Sequence, residues 1–131
     1  MSAQNVESVR RFVEAFNERD VDAIAAELGG DAELYPLRAQ LEGKSYRGVA
    51  GVREMFADFD EDWQYLRIQV DDIRDAGDQV AVVGRVRSRG RTSGVDLEVP
   101  IGFAFKFREG KAVYSRSYSE PDDALRAVGL G

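Results

Sequence analysis

Residues 78–90 read DQVAVVGRVRSRG, residues 91–107 RTSGVDLEVPIGFAFKF and residues 108–118 REGKAVYSRSY. These are three strand-like runs joined by tight turns, and they decide the fold. From Val95 to Phe107 the odd positions are Val95, Leu97, Val99, Ile101, Phe103, Phe105 and Phe107. The even ones include Asp96, Glu98, Pro100, Gly102 and Lys106. Such alternation predicts a strand with one buried face. The preceding run sets Val80, Val82 and Val86 on one face and Arg85, Arg87 and Arg89 on the other. A two-residue turn at Thr92-Ser93, or a longer loop of the same parity, places Arg87 opposite Glu98, Arg89 opposite Asp96 and Val86 opposite Val99. Opposite charges across strands favour that register by roughly 0.2–1 kcal/mol per pair. A one-residue slip would turn the arginines onto the apolar face, so the register is firm.

The second turn, Arg108-Glu109-Gly110-Lys111, has glycine where a left-handed residue is wanted. With Glu109-Gly110 at the tip, Phe107 faces Ala112, Phe105 faces Tyr114, Phe103 faces Arg116 and Ile101 faces Tyr118. Tyr114, Arg116, Tyr118 and Glu120 then share the phenylalanine face, and Val113, Ser115 and Ser117 take the other. Polar groups on an aromatic concave face either snorkel to an edge or line a cavity. A single-residue bulge would reverse these faces.

At 131 residues the chain is expected to form one domain, residues 1–131, with one sizeable core. Hydrophobic residues make up 44% and charged residues 32%, the balance of a globular chain rather than a disordered one. Cysteine is absent, so disulfides, thiolate metal sites and cysteine nucleophiles are excluded. Histidine is absent too, which removes the commonest general base and transition-metal ligand. No metal and no cofactor is expected. The formal charge of −6 argues against a nucleic-acid partner. With no 18-residue apolar run and a polar N-terminus, neither a membrane span nor a signal peptide is expected, and the default location is cytoplasmic.

In chain order, Val6, Val9, Phe12, Val13 and Phe16 recur at helical spacing through residues 3–18, with Ser2 or Asn5 as candidate caps. Asp20 caps a second helix, VDAIAAEL, which Gly29-Gly30 ends. Residues 31–38 are extended, and Pro36 bends the chain at Tyr35. A glycine-rich loop follows, then a third helix over residues 48–59. Trp63 opens a strand that alternates Leu66, Ile68 and Val70 with Tyr65, Arg67 and Gln69. After Tyr118 a short terminal helix is expected, with Ser119 and Asp122 at capping-box spacing and Gly129 as its stop.

The motifs DVDAIAAEL, YRGVAGVREMF, DAGDQVAVVGRVRSRGRTSGVDLEVP, FKFREGKAVYSRSY and DDALRAVGL stand in an order that resembles the SnoaL-like branch of the nuclear-transport-factor-2-like superfamily. That superfamily includes ketosteroid isomerases, polyketide cyclases and limonene epoxide hydrolases. The resemblance covers nearly the whole chain. It implies an α+β fold: a curved antiparallel sheet wrapped around N-terminal helices, a cone with an internal pocket. It also implies a homodimer through the outer sheet face, where Val113, Ser115 and Ser117 would allow close packing.

The chain departs from the enzymes it resembles. Where the isomerases carry a base before a proline stands Tyr35, and where they carry a buried acid stands Phe103. Their first-helix tyrosine falls near Phe12. An aspartate of the cyclases is matched by Glu120. Three functions follow as expectations. The first is binding of a small hydrophobic or polycyclic ligand by Tyr35, Trp63, Phe103, Phe105, Tyr114 and Tyr118, with Arg116 and Glu120 for polar contacts. The second is a cyclase, isomerase or epoxide-hydrolase activity, with Glu120 as base, Tyr35 or Tyr118 as proton donor and Arg116 stabilising an anion. Arg116 would then keep that carboxylate a weak base, and Glu120 could instead complement the terminal helix dipole. The third is a non-catalytic dimerisation module.

Overall fold

The first hairpin forms in the register that its charges dictate. In the computed structural model, which describes residues 2–130, β4 (Gln79–Gly90) and β5 (Asp96–Arg108) pair Arg87 with Glu98, Arg89 with Asp96 and Val86 with Val99. The connection spans residues 91–95, longer than two residues but of the same parity. The charges meet as expected: Arg89 reaches Asp96 at 2.7 Å, and Arg85 and Arg87 reach Glu98 at 3.0 and 3.2 Å. Hydrogen bonds from Arg89, then from the Tyr65 hydroxyl, hold the Asp96 carboxyl down at about 2.

Around this hairpin stand α1 (Ser2–Glu18), α2 (Val21–Glu27), β1 (Leu28–Tyr35), α3 (Leu37–Leu41), β2 (Tyr46–Arg47), α4 (Gly48–Asp62), β3 (Trp63–Asp75), β6 (Lys111–Tyr118) and α5 (Pro121–Ala127). The fold is α+β, with one curved, unclosed sheet in the order β2-β1-β6-β5-β4-β3. All pairings are antiparallel except β1 with β6. Two short elements were not expected. α3 turns Leu37 and Arg38, read as the end of the extended stretch, into helix and runs on to Leu41, and β2 pairs with β1 from within the loop of residues 40–51. The glycine pair that was to end α2 lies inside β1 instead, whose first residue, Leu28, is buried as the helix's C-cap.

Apolar stripes on α1 and α4 cover the concave face of the sheet. Phe12 meets Phe105 edge-on at 5.3 Å between ring centres, and Phe16 meets Phe56 at 5.4 Å. The cap at Asp20 forms, accepting the Ala23 amide at 3.1 Å. Asn5 does not cap α1; its amide reaches across to the Gly77 carbonyl at 2.9 Å, and the Ser2 side chain lies outside the described atoms. At the far end of α1, the Asn17 amide donates to the Ile68 carbonyl and accepts from the Ile68 amide, both at 2.8 Å. Ile68 lies on β3, an edge strand of the sheet, so one side chain satisfies backbone groups that would otherwise invite a foreign strand. Beyond it, the Arg19 guanidinium stacks over Phe16 and Phe56 and pairs with Asp60 at 3.7 Å; burial lowers its pKa.

The second hairpin keeps its expected tip and loses its expected faces. Glu109 and Gly110 both take positive φ, 52° and 78°, and Phe107 pairs with Ala112. Val113 is then an extra residue on β6. Beyond it Lys106 pairs with Tyr114, Phe105 with Ser115, Ala104 with Arg116 and Phe103 with Ser117. The bulge therefore carries Tyr114, Arg116 and Tyr118 to the convex face and brings Ser115 and Ser117 to the concave one. Val113 itself packs against β1, where its Cγ1 would lie 3.1 Å from a Cβ added at Gly29. The pairing of β1 with β6 is also irregular there, between Leu28 and Glu33.

On the convex side α5 rests on Ala81 and Ala104, with Val128, Leu125 and Tyr118 around them. Gly102 permits this approach, because a Cβ there would stand 2.7 Å from that of Ala124. Glu120 occupies the N-cap position of α5 but makes no side-chain capping bond, and the expected box between Ser119 and Asp122 does not form. Pro121, in the first turn, presets the helical φ in its place.

Candidate functional site

Between the helices and the concave face lies a hollow of about 270 Å³. Phe12, Val13 and Phe16 of α1 and Met55 and Phe59 of α4 form one wall. Ile68, Val86, Ile101, Phe103 and Phe105 form the other. The rim is built by Leu37 and Arg38 of α3, Trp63 at the start of β3, and Leu97 and Val99 of β5. Leu37, Leu97 and Val99 are exposed although apolar, as residues at an open mouth are. Polar side chains are few: Ser88, Ser115 and Ser117 inside and Arg38 at the rim. Among the described residues no carboxylate lines the hollow.

Of the residues expected to form the site, Tyr35, Trp63, Phe103 and Phe105 border the hollow, and Tyr114, Arg116, Tyr118 and Glu120 do not. The bulge at Val113 is the reason for the first three. Glu120 is exposed at the head of α5. Tyr35 borders the hollow where β1 ends, yet its ring turns outward to Tyr114, 5.4 Å away, and the Arg116 guanidinium stands 5.8 Å over it. Its hydroxyl donates to Glu33 at 3.1 Å, and that bond, more than burial, raises its pKa. The Tyr118 phenol is raised chiefly by burial. Both phenols hold their protons firmly, on the side away from the hollow or beside α5. The expected constellation of Glu120, Arg116 and the two tyrosines is therefore not assembled around the hollow.

The lining residues that the sequence reading missed include the apolar wall of Phe12, Phe16 and Phe59, the serines Ser88, Ser115 and Ser117, and Leu37 and Arg38 at the rim. The pairing of Lys106 with Tyr114 held the only signal for the serines. In the bulged register the Lys106 ammonium sits 4.7 Å over the Tyr114 ring, a favourable contact that the regular register lacks. Beside the rim, across α3, a smaller polar recess of about 100 Å³ shares Arg38 and Phe59 with the hollow. There Asp58 accepts from the Tyr46 hydroxyl at 2.5 Å and pairs with Lys44 at 3.2 Å. The Tyr46 bond first, then the Lys44 bond, lowers the Asp58 pKa. Arg38 pairs with Asp62, which ties α3 to α4, and at 3.4 Å with Glu42 at the end of its own helix.

A cone of this kind, with an apolar hollow open at one end, defines a class of small α+β domains, and the chain belongs to the SnoaL-like family. The profile of the SnoaL-like domain matches residues 9–115. No curated protein matches the chain. Among solved structures, it is similar to TerC, crystallised with polyporic acid: 20% identity, 95% of this chain and 98% of that one covered, TM-score 0.81. An NTF2-like protein of unknown function from Burkholderia pseudomallei is 20% identical over 96% of this chain and 98% of its own, with a TM-score of 0.80. A candidate SnoaL-like polyketide cyclase from Jannaschia is 18% identical over 99% and 94%, with a TM-score of 0.78. Likeness at this identity establishes the fold and leaves the chemistry to the site.

Proposed function

We propose that the hollow binds a small apolar molecule. The observation that carries this reading is an open-mouthed cavity of about 270 Å³ walled by Phe12, Phe16, Phe59, Phe103 and Phe105. Cavities of this size and lining are where proteins hold small organic ligands. The likeness to TerC, crystallised with polyporic acid, supports a small organic occupant. A cyclase-type turnover is the second reading, supported by the likeness to the Jannaschia protein; the lining supplies no carboxylate for it.

Nile red tests the first reading. Its emission should rise and shift blue at one dye per chain. Phe103→Asp, which puts a carboxylate on the wall, should weaken binding at least tenfold. Val99→Glu makes the same point at an exposed rim position where folding is not at stake. Dye binding undiminished in both variants would place the ligand elsewhere.

A second copy of the chain on the convex face is the companion proposal. That face carries both signs of charge in rows, Arg85 and Arg87 beside Asp71 and Glu98, which a two-fold contact can meet with its own opposite signs. Tyr114 and Arg116, not Ser115 and Ser117, would lie in it. Sedimentation should return twice the 14.6 kDa chain mass, and a monomer at micromolar concentration overturns the idea.

A further inference from the structure

Three hydroxyls interrupt the apolar lining, and none of them has a hydrogen-bond partner among the described residues. Ser115 and Ser117 are 9% exposed and Ser88 is 3% exposed. Ser115 sits in a row with Leu34 and Phe105, and Ser117 beside Phe103, at the inner part of the hollow. Two apart on one strand, they point the same way about 7 Å from each other. Ser88 stands on β4 six residues beyond Val82, the residue that lies in the Ser117 row through Phe103. That is about 20 Å of strand, too far to share a ligand group with the other two. Each hydroxyl is open to the hollow, and a hydroxyl facing a cavity bonds to whatever fills it, water or ligand.

Charge narrows the choice of occupant. Arg38 is the one charged residue of the lining among the described residues, and Asp62 and Glu42 already engage its guanidinium. A ligand carboxylate would have to break those pairs or lie unpaired against phenylalanine, and an ammonium would find no acid inside.

The geometry points to Ser115 and Ser117 as the pair that selects the ligand: an uncharged, largely apolar molecule that carries a hydroxyl or carbonyl group at its inner end. This rests on the reading of the hollow as a binding site. A serine hydroxyl both donates and accepts, so it serves a phenol and a ketone alike. The apolar body of the ligand then fills the space between Phe103, Phe59 and the rim leucines.

The test uses three probes of one shape, 2-naphthol, 2-methylnaphthalene and 2-naphthoate, each displacing Nile red. The expected result is that 2-naphthol binds at least tenfold tighter than either of the others. Ser115→Ala/Ser117→Ala should erase that preference and leave the affinity for 2-methylnaphthalene within twofold. Ser88→Ala should keep it. The two single alanine variants, read separately, cover the case in which the double variant does not fold. The assignment is overturned if the preference survives the loss of both hydroxyls, if 2-naphthoate binds tightest, or if 2-naphthol has no advantage in the native chain. Nile red binding with no such advantage sinks the serine assignment alone. Absence of binding by Nile red and all three probes sinks the binding-site reading with it.

Discussion

Phe105→Ala is expected to lower the unfolding free energy by about 3–5 kcal/mol. Phe105 is 2% exposed, lies towards the C-terminal end of β5 and meets Phe12 edge-on, so its ring joins α1 to the sheet. Removing it loses the transfer energy of the ring. Its packing against the Phe12 and Phe107 rings is lost as well, and the space left behind adds a cavity term because the surroundings relax only partly. For a chain of this length the melting temperature should fall by roughly 10–18 °C. Urea unfolding would check it: the midpoint should drop at an unchanged slope, since the surface exposed on unfolding is nearly the same. A loss below about 1 kcal/mol, by contrast, would mean that α1 does not lean on this ring.

The second large effect is expected at Gly84. Here β3 bulges between Val70 and Asp72, and Gly84 pairs with Val70. A Cβ at Gly84 would stand 2.2 Å from the Gln69 carbonyl oxygen and 3.3 Å from the Val70 Cα. Both are backbone atoms of the neighbouring strand, so nothing flexible can give way. Gly84→Ala should therefore cost about 3 kcal/mol or more, at the upper end for an added methyl in a packed site. The strands would part at the bulge, and the Arg85–Asp71 pair at 3.0 Å should open with them. Gly30→Ala is the control: nothing lies within 4 Å of its would-be Cβ, and its loss should be within about 1 kcal/mol. Thermal unfolding of the two variants side by side decides the matter. Equal stability of both would show that the close approach at Gly84 is not real.

The architecture was legible because its strongest signals are local. Alternating valines and phenylalanines on β4 and β5, with arginines answered by acids, leave one register, and that register is found. Helical spacing of Val9, Phe12 and Phe16 likewise puts those residues in the core without reference to anything distant. The site was legible only in part. Phe103, Phe105 and Trp63 are recognisable because large apolar residues in phase with a buried face have few other places to go. Ser115 and Ser117 were not, because β6 alternates between two rows that are each plausible on either side, tyrosine and arginine against serine. Which row faces inward depends on Val113, and Val113 bulges where β1, some eighty residues earlier in the chain, offers it Gly29. Such a contact leaves no periodic trace. Leu37 and Arg38 escaped for a related reason: α3 has only five residues, and its place is set by Gln40, which donates to the Tyr35 and Ser117 carbonyls at 2.8 Å.

The inserted residue on β6 has a consequence for how such cones diversify. Deletion of one codon there would swing three bulky side chains from the outside of the sheet into its interior and expel two small ones, while the rest of the scaffold kept its sequence. The chamber would shrink and gain a cation in a single step, where point substitution would need five. A one-residue length change at this hairpin would thus exchange the interior's chemistry without any substitution along the strand.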